Sequence, residues 1–494
     1  MSRTWFVCAC VLGALSVSAG CQKPVNFPVS SEAQAAAKAG AAAAYDGNHD
    51  GKVDFFLFAA GDGRIDAIGY DRNGDGVVDE RISLDAIPLA TTRHVVLILD
   101  GYGYDVVKAY RDAGGLRLFH APSRVIAPYP TLTDLCLEDA LGFVPCRAFE
   151  AEYYDRRTNR LAGGNWDYLT GANEPYNRLL DYRAAAIWDA IGYLYPREVF
   201  GKELNDAKRK FDRAQGREFL AYFVSSAGIS TAYGADGQRE SLARLERLIL
   251  QVLYESRGMV KFTLLADHGH SYAESRRVGM EEHLRKSGWR LTEKLRDPRD
   301  VAYVRFGLET YISFATNSPA ALAADAVKCE GVELASYADG DAVALLSADG
   351  GKATIRRNSR GRYGYAPAAG DPLRLREILA KLKPDAEGFH DADETLAATA
   401  EHEYPAPLER LWRAHFALAR NAPDVIVSLT DGWYSGKEGF AARVRVVSTH
   451  GGLNRNNSTT FLMSTIGPLP ALMRSGDIPR HMKALTGRDW PGGK

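Results

Sequence analysis

The chain has 494 residues, 46% hydrophobic and 25% charged, a length for about two to four domains and a composition that excludes wholesale disorder. Lys+Arg 61 against Asp+Glu 62 leaves a formal net charge of −1, so no electrostatic footprint for nucleic acid is evident. A single segment is apolar enough to meet a bilayer, and it lies at the N-terminus, which excludes a polytopic membrane protein.

Arg3 precedes an apolar run from Trp5 to Ala19. About fifteen residues is short of the roughly 20 that a membrane-spanning helix needs, and a positive start with small residues behind it reads as a secretory signal. Ser18-Ala19-Gly20-Cys21 resembles a bacterial lipobox, although Ser18 stands where that family has Leu. The resemblance implies that residues 1–20 are removed and that Cys21 is acylated and held in a lipid bilayer. Gln22 in place of Asp implies sorting to the outer membrane of the cell envelope, facing the periplasm or the surface. The alternative is a plain signal peptide cleaved near the same place. Residues 21–44, rich in Ser, Ala and Gln, read as a tether. Of the remaining cysteines, Cys136 and Cys146 could pair in an oxidising compartment and leave Cys329 free; three reduced, buried thiols are the alternative.

A repeat follows, over residues 45–86. Asp46, Asn48, Asp50, Gly51 and Asp54 recur twenty-five positions later as Asp71, Asn73, Asp75, Gly76 and Asp79. Oxygen-bearing side chains at alternate positions, with Gly at the sixth, are the chemistry of a Ca2+ loop of the EF-hand type. Position twelve holds Leu57 and Ile82 instead of the bidentate Glu, which argues against a helix-loop-helix sensor. The expectation is two calcium loops flanking a hairpin built from residues 55–58 and 65–70; an Asp/Asn/Gly turn with no ion is the alternative.

From residue 93 onward, strands and helices alternate. His94–Leu99 and Lys261–Ala266 are continuous apolar runs of the kind that form central parallel strands, and Pro423–Ser428 reads as a third. Leu242, Leu245, Leu248, Ile249, Val252 and Leu253 recur at helical spacing. The pattern predicts an α/β fold with a mostly parallel central sheet flanked by helices. Residues 331–372, with their Asp-Gly turns, read as an inserted β subdomain.

Three strand ends stop at good metal ligands: Asp100-Gly101, Asp267-His268-Gly269-His270 and, near the C-terminus, His450-Gly451-Gly452. Ligands gather at the carboxyl ends of strands in such sheets, so these residues can converge. Between the first two lies Pro130-Thr131-Leu132-Thr133, with a helix predicted from Thr133, whose hydroxyl would sit at a helix N-terminus or serve merely as a cap. In this order, the motifs around Asp100, Thr133, Asp267-His268 and His450 resemble the alkaline phosphatase superfamily, in its nucleotide pyrophosphatase/phosphodiesterase-like branch, over residues 93–494. The resemblance implies Thr133 as nucleophile, a Zn2+ or Mn2+ ion held by Asp100, Asp267, His268 and the Thr133 oxygen, and His450 as a ligand of a second ion.

The chain departs from that pattern where relatives place an Asp and a His on one helix. Aligned from Tyr222, those positions are Ala227 and Thr231, neither an adequate ligand. The second metal site looks broken, with His270 and His450 as contacts to the phosphoryl group, or with His283, Asp236 and Asp134 as loose replacements. The expected function is hydrolysis of a phosphoester substrate, or else non-catalytic binding in the envelope on the same fold.

Overall fold

The computed structural model describes residues 25–164, 167, 174–305, 307–436 and 444–491. The apolar leader and Cys21 lie outside them. Among the described residues, no helix is long and apolar enough to cross a membrane.

A six-stranded sheet forms the centre, in the order Leu472–Arg474, Ser123–Ile126, Thr459–Ser464, Val260–Ala266, Arg93–Leu99, Glu218–Phe223. The last three run parallel, whereas Thr459–Ser464 is antiparallel to both of its neighbours. Every residue of Val260–Ala266 is buried, because helices cover both faces of the sheet. On one face Val95, Leu97 and Phe219 pack with Phe200 and Leu204 of the helix Pro196–Arg213 and with Leu242 and Leu245 of the helix Ser225–Glu255. On the other, Val96, Ile98 and Leu265 pack with Leu137 of Thr133–Ala140 and Met482 of Ile478–Thr486. The expected α/β architecture with a mostly parallel sheet is present.

Two strand assignments are corrected. The run at 423–428 forms Val425–Leu429, which pairs antiparallel with Tyr311–Thr316 and Val332–Asp339 in a second, eight-stranded sheet. A short buried apolar run reads the same in either sheet, so periodicity could not assign it. Residues 331–372 do form four strands, Val332–Asp339, Ala342–Ser347, Lys352–Arg357 and Tyr363–Ala369. They continue edge to edge from Val425–Leu429 and make half of that second sheet, not a separate inserted unit. The decisive pairing, Ser336 with Ile426, joins segments far apart in sequence.

The N-terminal region is a four-stranded antiparallel sheet of Ala43–Tyr45, Phe55–Ala59, Ile65–Tyr70 and Glu80–Ser83. Its two Asp-rich loops flank the central hairpin, as expected. The tether reading fails for residues 25–44. Phe27 is 1% exposed and packs against Tyr45, Phe55 and Tyr254, the Val25 N–H donates to Asn205 Oδ1 at 2.6 Å, and Ala33–Ala39 is helical. Composition concealed this, because one aromatic anchor is enough to dock a segment whose other residues are small. The sheet also shares its core with the main domain, Phe55, Ile68 and Leu84 clustering with Leu253 and Val260. Cys136, Cys146 and Cys329 are free and buried.

Phe27→Ala should therefore lower unfolding free energy by about 3–5 kcal/mol, read as the midpoint shift in urea denaturation. An unchanged midpoint would restore the tether.

Candidate metal and nucleophile site

Strand register builds the site. Leu99 pairs with Ala266 across the parallel strands, so the next residues, Asp100 and Asp267, emerge side by side. The Gly101 N–H donates to Asp267 Oδ1 at 2.9 Å, and the His268 N–H donates to the same oxygen at 2.8 Å. Gly101 has φ 73°, and a Cβ there would come within 2.6 Å of the His270 ring. Only glycine lets the turn lie so close. Tyr222 pairs with Ile98, which puts it on the same face as Asp100, and its hydroxyl donates to Asp100 Oδ2 at 2.5 Å. The Asp100 N–H donates to Ser226 Oγ at 2.7 Å.

Thr133 arrives from the opposite side, as the first residue of Thr133–Ala140. The N-cap position is held by Leu132, so Thr133 stands one residue inside the helix and not at the cap. Its Oγ1 stands 3.5 Å from both Asp100 carboxylate oxygens and 3.2 Å from His268 Nε2. His268 Nε2 is in turn 3.7 Å from Asp100 Oδ1 and 3.4 Å from Asp267 Oδ2. Among the described residues, Asp100, Asp267 and His268 are the group of three His, Cys, Asp or Glu side chains whose ligand atoms all lie within 4.8 Å of one another. All three are buried and Thr133 is half-buried, the most accessible residue of the cluster.

The donor chemistry fits a cation. His268 Nδ1 faces the Gly269 carbonyl oxygen at 2.9 Å; a carbonyl can only accept, so Nδ1 carries the hydrogen and Nε2 offers a lone pair. That lone pair faces Asp267 Oδ2, a buried oxygen with no hydrogen-bond partner. The His268 Nε2 lone pair and Asp267 Oδ2 thus face one another with no hydrogen between them, and the Thr133 hydroxyl lies 3.2 Å from that nitrogen. Burial pushes the Asp267 carboxyl up to about 7, against the backbone N–H donors that hold it down, and it pushes His268 down to about 4.

His450 lies beside this group, its ring stacked on His268 at 4.0 Å and 19° and its Nδ1 2.8 Å from the Thr131 carbonyl oxygen. His270, which the sequence leaves as readily exposed as buried, is 0% exposed. Ala227 and Thr231 lie buried in the helix Ser225–Glu255; in the same turns Ser230 and the later Gln238 donate to the Gly101 carbonyl oxygen. The loose replacement ligands are engaged elsewhere. His283 Nε2 bonds the Asp325 carbonyl oxygen at 2.8 Å, Asp236 pairs with Arg239 at the surface, and Asp134 accepts from the Tyr176 hydroxyl at 3.0 Å. Tyr222 was missed by sequence reasoning, since its role depends on the register between two strands more than a hundred residues apart.

In the N-terminal loops, side chains brace the main chain. Asp46 accepts from the N–H groups of Asp50 and Gly51, and Asp71 from those of Gly74 and Gly76. Asn48 and Asn73 accept from the N–H groups of Asp50 and Asp75, and Asp50 and Asp75 from those of Lys52 and Val77. Asp54 and Asp79 close the loops onto Gly47 and Arg72. Position twelve falls within strands, at Leu57 and Ile82, where a carboxylate has no place.

No family model and no curated protein matches the chain. Solved structures similar to it include murine ectonucleotide pyrophosphatase/phosphodiesterase 5, 11% identical over 81% of this chain and 97% of that chain, with TM-score 0.40. The human protein of the same name is 9% identical over 81% and 96%, with TM-score 0.42. An inactive form of the murine protein in complex with AMP is 10% identical over 81% and 97%, with TM-score 0.41. Identities and TM-scores this low leave any functional reading to the residues of the site.

A divalent cation held by Asp100, Asp267 and His268 must displace the proton that Asp267 keeps up to about pH 7. Its affinity should hold above that pH and fall by about tenfold per unit below it. Chelator competition across pH 5–8 measures this.

Proposed function

We propose that the chain is a metal-dependent hydrolase of phosphoric esters with Thr133 as nucleophile. The observation that carries this reading is the convergence of Asp100, Asp267 Oδ2 and the His268 Nε2 lone pair on the half-buried Thr133 hydroxyl. Asp100, Asp267 and His268 would hold one Zn2+ or Mn2+ ion, which when bound supplies the positive charge that acidifies a nearby hydroxyl and offsets charge growing on phosphoryl oxygens. Thr133 Oγ1, giving up its proton to solvent, would attack phosphorus and displace one ester oxygen, which leaves as the protonated alcohol; water would later cleave the threonine–phosphorus bond, releasing the remaining phosphomonoester and restoring the hydroxyl. Asp100 is fixed for its part by the Tyr222 hydroxyl and Ser226, and Asp267 by two backbone N–H groups. Diesters and pyrophosphates are the substrate classes favoured by the sequence resemblance.

Elemental analysis of the purified protein, with zinc and manganese supplied, should find one transition metal per chain, lost in Asp267→Ala/His268→Ala. Thr133→Ala should keep the metal and the fold while lowering phosphodiester hydrolysis by roughly 10³-fold or more. A metal-free wild type with no turnover would leave a non-catalytic envelope binding protein. Tyr222→Phe should weaken metal binding by about 10- to 100-fold, because it frees a carboxylate that the phenol orients.

We also propose that the two Asp-rich loops bind Ca2+ and that Cys21 is acylated, anchoring the chain to the envelope. The repeated Asp/Asn/Gly spacing and the main-chain bracing of both loops support the first; the sequence around Cys21 supports the second. Millimolar Ca2+ should raise the melting temperature of wild type and not of Asp46→Ala/Asp71→Ala, and Cys21→Ser should move the protein from the membrane to the soluble fraction.

A further inference from the structure

Three imidazoles meet beside Thr133, and their hydrogen bonds give them different roles. His268 and His450 each face a backbone carbonyl with Nδ1, that of Gly269 at 2.9 Å and that of Thr131 at 2.8 Å. Both therefore carry the hydrogen on Nδ1 and present Nε2 as a lone pair.

His270 is set the other way. Its Nδ1 lies 3.0 Å from Ser448 Oγ, which already accepts the Tyr272 N–H at 2.8 Å. The Ser448 hydroxyl hydrogen has no other acceptor among the described residues and goes to His270 Nδ1. The ring hydrogen is then on Nε2. That Nε2–H is buried and has no partner, an arrangement native structures avoid unless a ligand completes it. It lies against the Asp100–Gly101 turn, 2.6 Å from where a Gly101 Cβ would be. The His270 ring centre is 5.2 Å from that of His450 and 6.2 Å from that of His268.

We infer that His270 donates its Nε2–H to a phosphoryl oxygen of the substrate, at a place where a second cation would otherwise bind. The inference rests on the phosphoester reading for the identity of the oxyanion. A buried, unpartnered N–H repels a cation and attracts an oxyanion, so a donor here and a second metal are alternatives. The neighbouring helix turn agrees, contributing Ser226 and Ser230 to the Asp100–Gly101 turn with Ala227 and Thr231 beside them. Ser448 is a positioning residue: its own N–H is anchored on the Thr231 carbonyl oxygen, and its hydroxyl sets the tautomer.

The test uses the metal-supplied full-length protein, with inorganic phosphate as the probe. His270→Ala should weaken phosphate binding by about 10- to 100-fold without changing the metal content. His270→Gln, which keeps an N–H, should recover part of that loss. Nitrogen-15 NMR of the imidazoles should show the hydrogen of His270 on Nε2 and those of His268 and His450 on Nδ1. Phosphate affinity unchanged in folded His270→Ala, loss of a metal ion in that variant, or an Nδ1–H tautomer would each overturn the inference while leaving phosphoester hydrolysis by the wild type standing. Phosphate binding that depends on His270 in a protein with no phosphoesterase activity would instead sustain the donor and sink the proposed function.

Discussion

Two parallel strands that end level with one another place two carboxylates in the same small volume. Leu99 and Ala266 are paired, the chain turns at Gly101 and Gly269, and Asp100 and Asp267 are left facing each other beside His268. Like charges in a buried space repel, and burial, against the hydrogen bonds that hold it down, already pushes Asp267 up to about 7. The arrangement is tolerable because two backbone N–H groups hold the Asp267 carboxylate and the Tyr222 hydroxyl holds that of Asp100, whose backbone N–H is anchored on Ser226. The same supports leave Asp267 Oδ2 without a hydrogen-bond partner, beside the His268 Nε2 lone pair.

The opposite edge of the molecule follows a different constraint. The N-terminal sheet has four short strands and shares its apolar face with the main domain. It is completed by the long helix of the main domain: Tyr254 packs against Phe27, Phe55 and Tyr70 in tilted and edge-on contacts, its hydroxyl donates to Asp54, and the Tyr70 hydroxyl donates to the Tyr254 carbonyl oxygen. Asp54 belongs to the first Asp-rich loop, so that loop is tied directly to the helix whose other end touches Asp100 through Ser226. Deep in the fold the helix bends at Gly234, with φ 57° and ψ −143°, between the turns that meet the site and those that meet the N-terminal sheet.

Much of the fold was legible in the sequence where signals were local. Continuous apolar runs marked Arg93–Leu99 and Val260–Ala266, helical spacing marked the second half of Ser225–Glu255, and turn residues marked the four strands after residue 331. What misled were features decided by distant partners. The run at Val425–Leu429 joined the second sheet, and the Ala-rich stretch before residue 45 was docked through Phe27, the Val25 N–H and the small buried side chains of Ala36 and Ala44. In the site, Asp100, Thr133, Asp267, His268 and His450 were all named from motif order, and the structure brings the first four within mutual reach with His450 stacked alongside.

The sequence by itself determined which residue types stand at the strand ends, and that Ala227 and Thr231 offer no ligand, because composition at a position needs no partner to be read. Tertiary structure decided that Tyr222 holds Asp100, that His270 is buried with an unpartnered Nε2, and that Phe27 ties residues 25–44 to the core. Each of these depends on strand register or on a hydrogen bond to a residue far along the chain, and one-dimensional spacing carries neither.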